Sequence, residues 1–285
     1  MENKFLVPVV TPFKDDETVD YEALSRLVKK VLDDGADGIY ASGSSAECFL
    51  LTEEERKKTL ETVIKAADGA YVLAHVGNIS AKNTLELCKH AKEAGANALS
   101  SVPPFYFSYP FEGIVKYYET IASVGLPIVL YSFPARTRNF SVEEYERLLS
   151  IDGVVGMKFT DKDYFTMQQI IAKTGVEIYS GSDECFLSAL SMGAKGAIGT
   201  TFNYMMNKYI NIYDLFSQNK MAEALAVQST ANTVTSATLP NLLSATKYMI
   251  ELRHGIKCGN GRTPFLPQTE EHKKQLNELA YLILD

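Results

Sequence analysis

Between Phe5 and Ile198, short apolar segments alternate with amphipathic ones, and this alternation restricts the possible fold more than any other feature. The apolar segments have the length of buried strands and cover residues 5–10, 38–41, 71–76, 98–102, 127–131, 153–159, 177–179 and 197–198. The segments between them repeat apolar residues with the 3.6-residue period of an α-helix. Strands that alternate with helices through short loops indicate a parallel sheet with crossover helices. Eight such units favour an α/β fold of the (β/α)₈ TIM-barrel type over a doubly wound sheet.

Helix-boundary signals agree with this assignment. Capping boxes, in which a hydroxyl residue precedes a glutamate by three positions, begin at Thr52 and Ser141. A four-residue pattern of glycine and alanine recurs at residues 35–38, 95–98 and 193–196, where a helix is predicted to give way to a strand. A glycine after a helix and a tight turn into a strand explain this pattern.

After the eighth strand the sequence contains helical patterns only. We therefore predict a barrel over residues 1–204 and a C-terminal helical extension over residues 205–285. No linker-like composition separates the two parts, so the extension is expected to pack on the barrel as one structural unit.

Composition excludes several functional classes. The 285-residue chain is 46% hydrophobic and has a net charge of −7, which argues against nucleic acid or an anionic membrane as a partner. We see no apolar window long enough to cross a bilayer and no signal peptide at the N-terminus. Four scattered cysteines suit reduced thiols, so we expect a cytoplasmic protein.

The apolar strand at residues 153–159 contains one lysine, Lys158, near its carboxyl end. A buried ammonium is costly unless it deprotonates or finds partners. A lysine in such a place can be a neutral amine that forms a Schiff base with a carbonyl substrate. The alternative is that Lys158 extends out of the strand end into solvent.

Other polar residues stand at the predicted carboxyl ends of strands, where active sites of barrels lie. Ser44 and Ser45 follow the second strand on a glycine turn, and Tyr131 ends the fifth. Two hydroxyls with free backbone amides suit a carboxylate, and a phenol beside an amine can transfer protons. Together with Lys158 they predict a site for an α-keto acid.

Five motifs occur in order along the barrel: Gly-Ser-Ser-Ala-Glu at 43–47, Pro-Phe-Tyr at 104–106, Tyr-x-x-Pro at 131–134, Gly-Met-Lys at 156–158 and Gly-Ser-Asp-Glu at 181–184. With them the sequence resembles the class I, pyruvate-dependent aldolases of the N-acetylneuraminate lyase and dihydrodipicolinate synthase family. This resemblance implies a cytosolic homotetramer of (β/α)₈ barrels that needs neither metal nor cofactor beyond the lysine imine.

The resemblance also implies a role for individual residues. Lys158 would form the imine with pyruvate, and Tyr131 would carry protons. Ser44 and Ser45 would bind the carboxylate, with Ser45 also counted among the catalytic residues. Tyr106 matches a tyrosine that lies near a subunit contact in family members and supports proton transfer.

Two sets of residues point to different branches of the family. Residues that resemble the sugar-hydroxyl contacts of the sialic acid lyases are Thr160, Gly181, Asp183, Glu184 and Thr200. Arg136 instead resembles the arginine that holds the carboxylate of aspartate semialdehyde in the synthases, unless it forms a surface ion pair. The balance favours a carbon–carbon lyase that cleaves N-acetylneuraminate to pyruvate and N-acetylmannosamine.

Three alternatives remain open. The first is a dihydrodipicolinate synthase, and the second another pyruvate-dependent aldolase of 2-keto-3-deoxy acids. The third is a catalytically silent barrel that only binds a keto acid. A metal-dependent aldolase is disfavoured because the four histidines lack ligand spacing; they are His75, His90, His254 and His272. A small keto acid is the expected partner.

Overall fold

The computed structural model describes residues 4–284, and within them eight parallel strands form a closed barrel in sequence order. The strands are β1 (Phe5–Val7), β2 (Gly38–Ala41), β3 (Tyr71–His75), β4 (Ala98–Ser101), β5 (Ile128–Ser132), β6 (Val154–Phe159), β7 (Glu177–Ser180) and β8 (Gly196–Ile198). Hydrogen bonds between β1 and β8 close the barrel. The predicted TIM barrel is confirmed.

Helices follow every strand. Those after the strands are α1 (Tyr21–Asp33), α2 (Glu53–Ala67), α3 (Ala81–Ala94), α4 (Phe111–Ala122), α5 (Val142–Leu149), α6 (Tyr164–Thr174), α7 (Phe186–Ser191) and α8 (Phe202–Ser217). The C-terminal helices are α9 (Met221–Thr238), α10 (Leu242–His254), α11 (Glu270–Leu279) and α12 (Tyr281–Leu284). Short 3₁₀ helices cover Ser44–Ala46, Asp183–Cys185 and Leu239–Asn241.

The predicted helix-boundary signals form as expected. In both capping boxes, at Thr52 and Ser141, the hydroxyl accepts from the third helical amide and the glutamate accepts in return. Gly35, Gly95 and Gly193 have φ of 99°, 97° and 97°, which is the left-handed region that glycine adopts without a Cβ penalty. The repeated glycine turn is therefore a backbone requirement at each junction.

Alternation along the strands separates two apolar layers. On β5, Ile128 and Leu130 belong to the large cluster shared with the helices, whereas Val129 and Tyr131 belong to a smaller cluster inside the barrel. Because successive side chains of a strand point to opposite faces, this arrangement assigns an inward direction to every second residue. It is this inner layer that supports the site.

The C-terminal helices pack against the barrel. Buried side chains of α8, α9 and α10, such as Tyr209, Val234 and Ile250, belong to the same apolar cluster as the helices around the sheet. The predicted boundary at residue 204 lies inside α8, immediately before a kink at Met205, whose φ of −143° is not helical. No helix within residues 4–284 is long and apolar enough to span a membrane.

Candidate active site

A cavity of about 710 Å³ opens at the carboxyl ends of the strands. Its polar wall comes from the residues that end or follow β2, β5, β6, β7 and β8. This is the end of a barrel at which catalytic residues of this fold are found. Most of the predicted site residues line this cavity, namely Ser44, Ser45, Tyr131, Arg136, Lys158, Thr160, Gly181, Glu184 and Thr200.

Strand register brings Lys158 and Tyr131 together. Tyr131 of β5 pairs with Lys158 of β6, which in turn pairs with Tyr179 of β7. Met157 and Phe159 belong to the cluster that faces the helices, so Lys158 between them points into the barrel. The three aligned side chains therefore share the inner face.

Lys158 is buried, with 5% of its surface exposed. Its Nζ lies 4.4 Å from the centroid of the Tyr131 ring and 4.9 Å from that of Tyr40. Within residues 4–284 the amine forms neither an ion pair nor a hydrogen bond with the protein. Aromatic faces attract a cation but leave the lone pair of a neutral amine free for a ligand. The arrangement suits a nucleophile better than a structural lysine.

Ser44 and Ser45 begin the 3₁₀ helix that follows β2. The first amides of a helix have no partners within it, so they are available to an anion together with the hydroxyls. The Ser45 hydroxyl shares a hydrogen bond of 2.7 Å with the Thr200 hydroxyl, which joins the ends of β2 and β8. This turn is a polar patch on the wall of the cavity that also holds Lys158.

Thr160 and Gly181 form a close contact beside the lysine. A Cβ at position 181 would stand 1.9 Å from Thr160 Oγ1 and 3.0 Å from Lys158 Cε. Any larger residue at position 181 would clash with Thr160, so this position requires glycine. Thr160 Oγ1 is buried and has no hydrogen-bond partner within the described chain, so it is free to bond a ligand hydroxyl.

The two acidic residues after β7 have different surroundings. Glu184 lines the cavity, is partly exposed and pairs with Lys162 at 3.2 Å. Asp183, which is also predicted to contact substrate, lies outside the lining of the cavity and is buried. Its Oδ2 accepts from the amide and hydroxyl of Thr201, both at 2.8 Å, whereas its Oδ1 has no partner among the described residues.

Burial raises the pKa of Asp183 from 3.8 to about 6, and the negative charge of Glu184 adds to this effect. The Thr201 hydrogen bonds and the ammonium of Lys158 oppose it. Because the pKa in the folded state exceeds the ordinary value, the folded protein binds the proton more tightly than the unfolded chain does. The stability due to Asp183 is present below about pH 4 and is lost as the pH rises through about 6.

Replacing Asp183 with asparagine should remove this pH dependence. Between pH 4 and pH 7 we expect the free energy of unfolding of wild type to fall by about 2 kcal/mol relative to that of Asp183→Asn. Urea unfolding of both proteins across this range measures the difference. Parallel pH profiles would show that Asp183 has an ordinary pKa.

His75 and Tyr40 do not line the cavity but pack directly against Tyr131, and the sequence predictions did not place them there. The His75 ring lies edge-on to Tyr131 at a centroid distance of 6.1 Å, and so does Tyr40. Burial and the nearby Arg56 guanidinium keep the pKa of His75 well below its ordinary value, so the ring is neutral. Its Nδ1 lies 3.0 Å from the Ser42 carbonyl. Tyr40 and His75 stand at inward-facing positions of β2 and β3, and this alternation along the strands is the signal that could have identified them.

The far wall of the cavity comes partly from the C-terminal extension. It contains Leu239, Pro240, Asn241, Leu242, Leu243 and Phe265. Arg136 lies on the cavity wall as well, is exposed, and has no ion-pair partner within residues 4–284. Within the described chain, Arg136 therefore does not form the surface ion pair that was the alternative to a binding role. Arg138, two residues later, does pair with Glu144.

Tyr106 lies apart from Lys158 in the single chain. It is 74% exposed, packs edge-on against Phe107 at 4.9 Å, and lines a separate surface cavity of about 440 Å³. Phe107 is also exposed, at 62%. An aromatic pair so exposed is typical of a surface that another protein covers.

The fold and the cavity define a (β/α)₈ barrel protein whose site, at the carboxyl ends of the strands, contains a lysine without an ion-pair partner among residues 4–284. The sequence matches the family model described as "Dihydrodipicolinate synthetase family" over residues 1–282, and the chain belongs to that family. It is a class I, pyruvate-dependent aldolase and thus a carbon–carbon lyase.

Individual relatives come from two branches. A protein from Rhizobium meliloti named N-acetylneuraminate lyase is 35% identical over 280 residues, which are 97% of this chain and 93% of that protein. CdNal from Clostridium difficile, solved in complex with mannosamine, has a TM-score of 0.95 at 28% identity and covers 99% of both chains. A dihydrodipicolinate synthase from Bacillus anthracis has a TM-score of 0.92 at 28% identity, covering 99% of this chain and 98% of that one.

Proposed function

We propose that this protein cleaves N-acetylneuraminate to pyruvate and N-acetylmannosamine through an imine on Lys158. The observation that carries the proposal is the buried amine of Lys158, which is unpaired within the described chain and lies over Tyr131 in the cavity. A neutral amine attacks a ketone, and loss of water from the adduct gives the imine. The imine then withdraws electrons from the bond that breaks.

Proton transfers accompany each step and need a group near the amine. In the open-chain substrate, the hydroxyl on the fourth carbon loses its proton as the bond between the third and fourth carbons breaks. The aldehyde leaves, the enamine gains a proton at the third carbon, and water then releases pyruvate and the free lysine. Tyr131, the phenol beside Nζ, is our candidate for carrying these protons.

Ser44 and Ser45 are proposed to bind the carboxylate of the keto acid. Both line the cavity with Lys158 and present hydroxyls and amides at the start of a short helix. A carboxylate held there would leave its neighbouring ketone carbon within the same cavity as the amine. This carboxylate-binding site would bind every α-keto acid alike, whatever the rest of the substrate.

Replacing Ser45 with alanine should therefore weaken pyruvate binding about tenfold, since a hydrogen bond to a charged group contributes roughly 1.5–3 kcal/mol. The measurement is the pyruvate concentration that half-saturates borohydride trapping of the imine. Ser42→Ala is a matched control, because the Ser42 hydroxyl is buried without a partner among described residues and does not line the cavity. If Ser45→Ala, Ser42→Ala and wild type all reach half-saturation at the same pyruvate concentration, Ser45 does not bind the carboxylate as proposed.

The rest of the cavity suits a long polar substrate with an apolar end. Thr160 offers an unpartnered hydroxyl, and Glu184 offers a carboxylate that can accept from sugar hydroxyls. The wall that includes Leu243 and Phe265 is apolar and faces the same space. The relatives named N-acetylneuraminate lyase at 32–35% identity support the same assignment.

Arg136 favours a second candidate function, condensation of pyruvate with aspartate semialdehyde by a dihydrodipicolinate synthase. Its guanidinium lies on the cavity wall and is free, within the described chain, to pair with a second carboxylate. The similarity to the Bacillus anthracis synthase agrees with this alternative. Another aldolase of 2-keto-3-deoxy acids is a third candidate for the same chemistry.

One comparison with the wild-type enzyme separates these functions. Release of pyruvate from N-acetylneuraminate is measured beside condensation of pyruvate with aspartate semialdehyde. We expect efficient cleavage and little condensation. The proposal does not survive if aspartate semialdehyde is turned over efficiently and N-acetylneuraminate is left untouched.

We further propose that the chain assembles as a homotetramer. The exposed rings of Tyr106 and Phe107 fit a contact with another subunit. Such a contact would bring Tyr106 to a neighbouring site instead of its own. The partners we propose are thus a small keto acid and further copies of the chain.

A further inference from the structure

A fully buried ion pair links the turn that carries Ser44 and Ser45, here called the serine turn, to the C-terminal extension. Glu47 and Lys247 meet at 2.7 Å, and the exposed fraction of each side chain is 0%. Taking two charges out of water costs several kcal/mol per ion, which their attraction repays only with good geometry. An apolar pair of the same volume would often be at least as stable, so stability alone does not account for this pair.

Glu47 stands two residues after Ser45 and ends the 3₁₀ helix that carries both serines. Its φ of 57° places it in the left-handed region, which is unfavourable for a residue with a Cβ. Both carboxylate oxygens are engaged: one accepts from Lys247 Nζ and the other from the Arg262 amide at 2.6 Å. The carboxylate thus holds the strained end of the turn in place.

Lys247 belongs to α10 and is fixed from several sides. Its Nζ also donates to the Asn260 carbonyl at 2.8 Å and lies 4.1 Å from the centroid of the Phe13 ring. One turn earlier on the same helix, Leu243 forms part of the cavity wall. The ion pair therefore joins the two walls of the cavity, the serine turn and the apolar wall, without lining the cavity itself.

We propose that Glu47 and Lys247 are positioning residues that fix the Ser44–Ser45 turn for carboxylate binding. The inference rests on the proposed function, because it assumes that this turn binds the carboxylate of the keto acid. Without the pair the turn is free to relax from its left-handed end, and its hydroxyls and amides lose their alignment. The reactive amine is on β6 and keeps its surroundings, so binding should suffer and chemistry should not.

A second ion pair provides a matched control. Arg262 contacts both oxygens of Glu55 at 2.7 and 2.8 Å and thereby ties the same C-terminal loop to α2. This pair is partly exposed, at 14% and 22%. Arg262 reaches Glu47 only through its backbone amide, which Glu55→Gln leaves in place, and the Glu55 side chain itself contacts none of residues 44–47 in the described chain. Glu55→Gln should lower stability while leaving pyruvate binding unchanged.

The test measures imine trapping on Lys158 by borohydride as pyruvate is titrated, which separates half-saturation from the maximal rate. For Glu47→Gln we expect half-saturation to rise about tenfold or more and the maximal rate to stay within about twofold. Glu55→Gln should match wild type in both. A variant with both charges removed, Glu47→Gln/Lys247→Met, avoids an unpaired buried charge and carries the test if the single variant does not fold.

The possible outcomes separate the inference from the proposed function. If the double variant binds pyruvate as wild type does, or if only melting temperature changes, the pair is structural and the inference is wrong. A fall in maximal rate with unchanged half-saturation also overturns it. If wild type itself forms no imine with pyruvate, the proposed function fails first.

Discussion

Replacing Lys158 with methionine is expected to abolish imine formation and to lower kcat/KM by at least about 10³-fold, because the covalent route is lost altogether. Methionine keeps much of the side-chain length and removes the amine. Borohydride with pyruvate should add a lactyl-sized mass to one peptide of the wild type, the peptide that contains Lys158. The same treatment should leave the variant unlabelled.

Lys162 is the appropriate control for this experiment. It also lines the cavity, but its side chain is 68% exposed and pairs with Glu184. Lys162→Met should therefore keep full labelling at Lys158. A label on any lysine other than Lys158 would defeat the assignment, and so would undiminished labelling of Lys158→Met.

Stability distinguishes a catalytic lysine from a structural one. Lys158 is buried without an ion pair in the described chain, so its ammonium gains little to offset lost hydration. We expect the free energy of unfolding of Lys158→Met to equal or exceed that of wild type. A structural lysine would show the reverse, because its removal would break contacts that hold the fold.

The barrel could be predicted from the sequence because each level of the signal agreed. Apolar runs set the strands, 3.6-residue periods set the helices, and caps and glycines set their junctions. The errors lie at element ends. The first strand was predicted to reach residue 10 but ends at Val7, since Pro8 has no amide hydrogen to donate to the sheet.

The site could be predicted only as far as strand ends determine it. Lys158, Tyr131 and the serine turn follow from the rule that carboxyl ends of parallel strands meet at one mouth. The positions of Asp183 and of the wall with Leu243 depend on how α8 and α10 dock, which no local pattern contains. A 3₁₀ turn at Asp183–Cys185 is associated with Asp183 lying outside the cavity lining and Glu184 lying within it.

Separate replacements of Glu184 and Arg136, the residues that represent the two branches, should identify the second substrate. Glu184→Gln removes a charge that faces the cavity, and we expect it to lower kcat/KM for N-acetylneuraminate by roughly 10- to 100-fold, as for a lost hydrogen bond to a charged group. The maximal rate of imine trapping with pyruvate should not change, because the serine turn and Lys158 lie at the other end of the substrate. Glu184 is the sharper probe, since Asp183 does not line the cavity.

Arg136→Ala is the opposite test. In a lyase the loss of this guanidinium should change cleavage of N-acetylneuraminate only a few-fold, because the sugar tail offers hydroxyls and no second carboxylate. In a synthase the same change leaves the carboxylate of aspartate semialdehyde unpaired and should cost about 10²-fold or more in condensation. Steady-state kcat/KM of both variants on both substrates gives four ratios. The lyase assignment requires the large loss at Glu184 with N-acetylneuraminate; a large loss at Arg136 with aspartate semialdehyde, and none at Glu184, would assign the chain to the synthases instead.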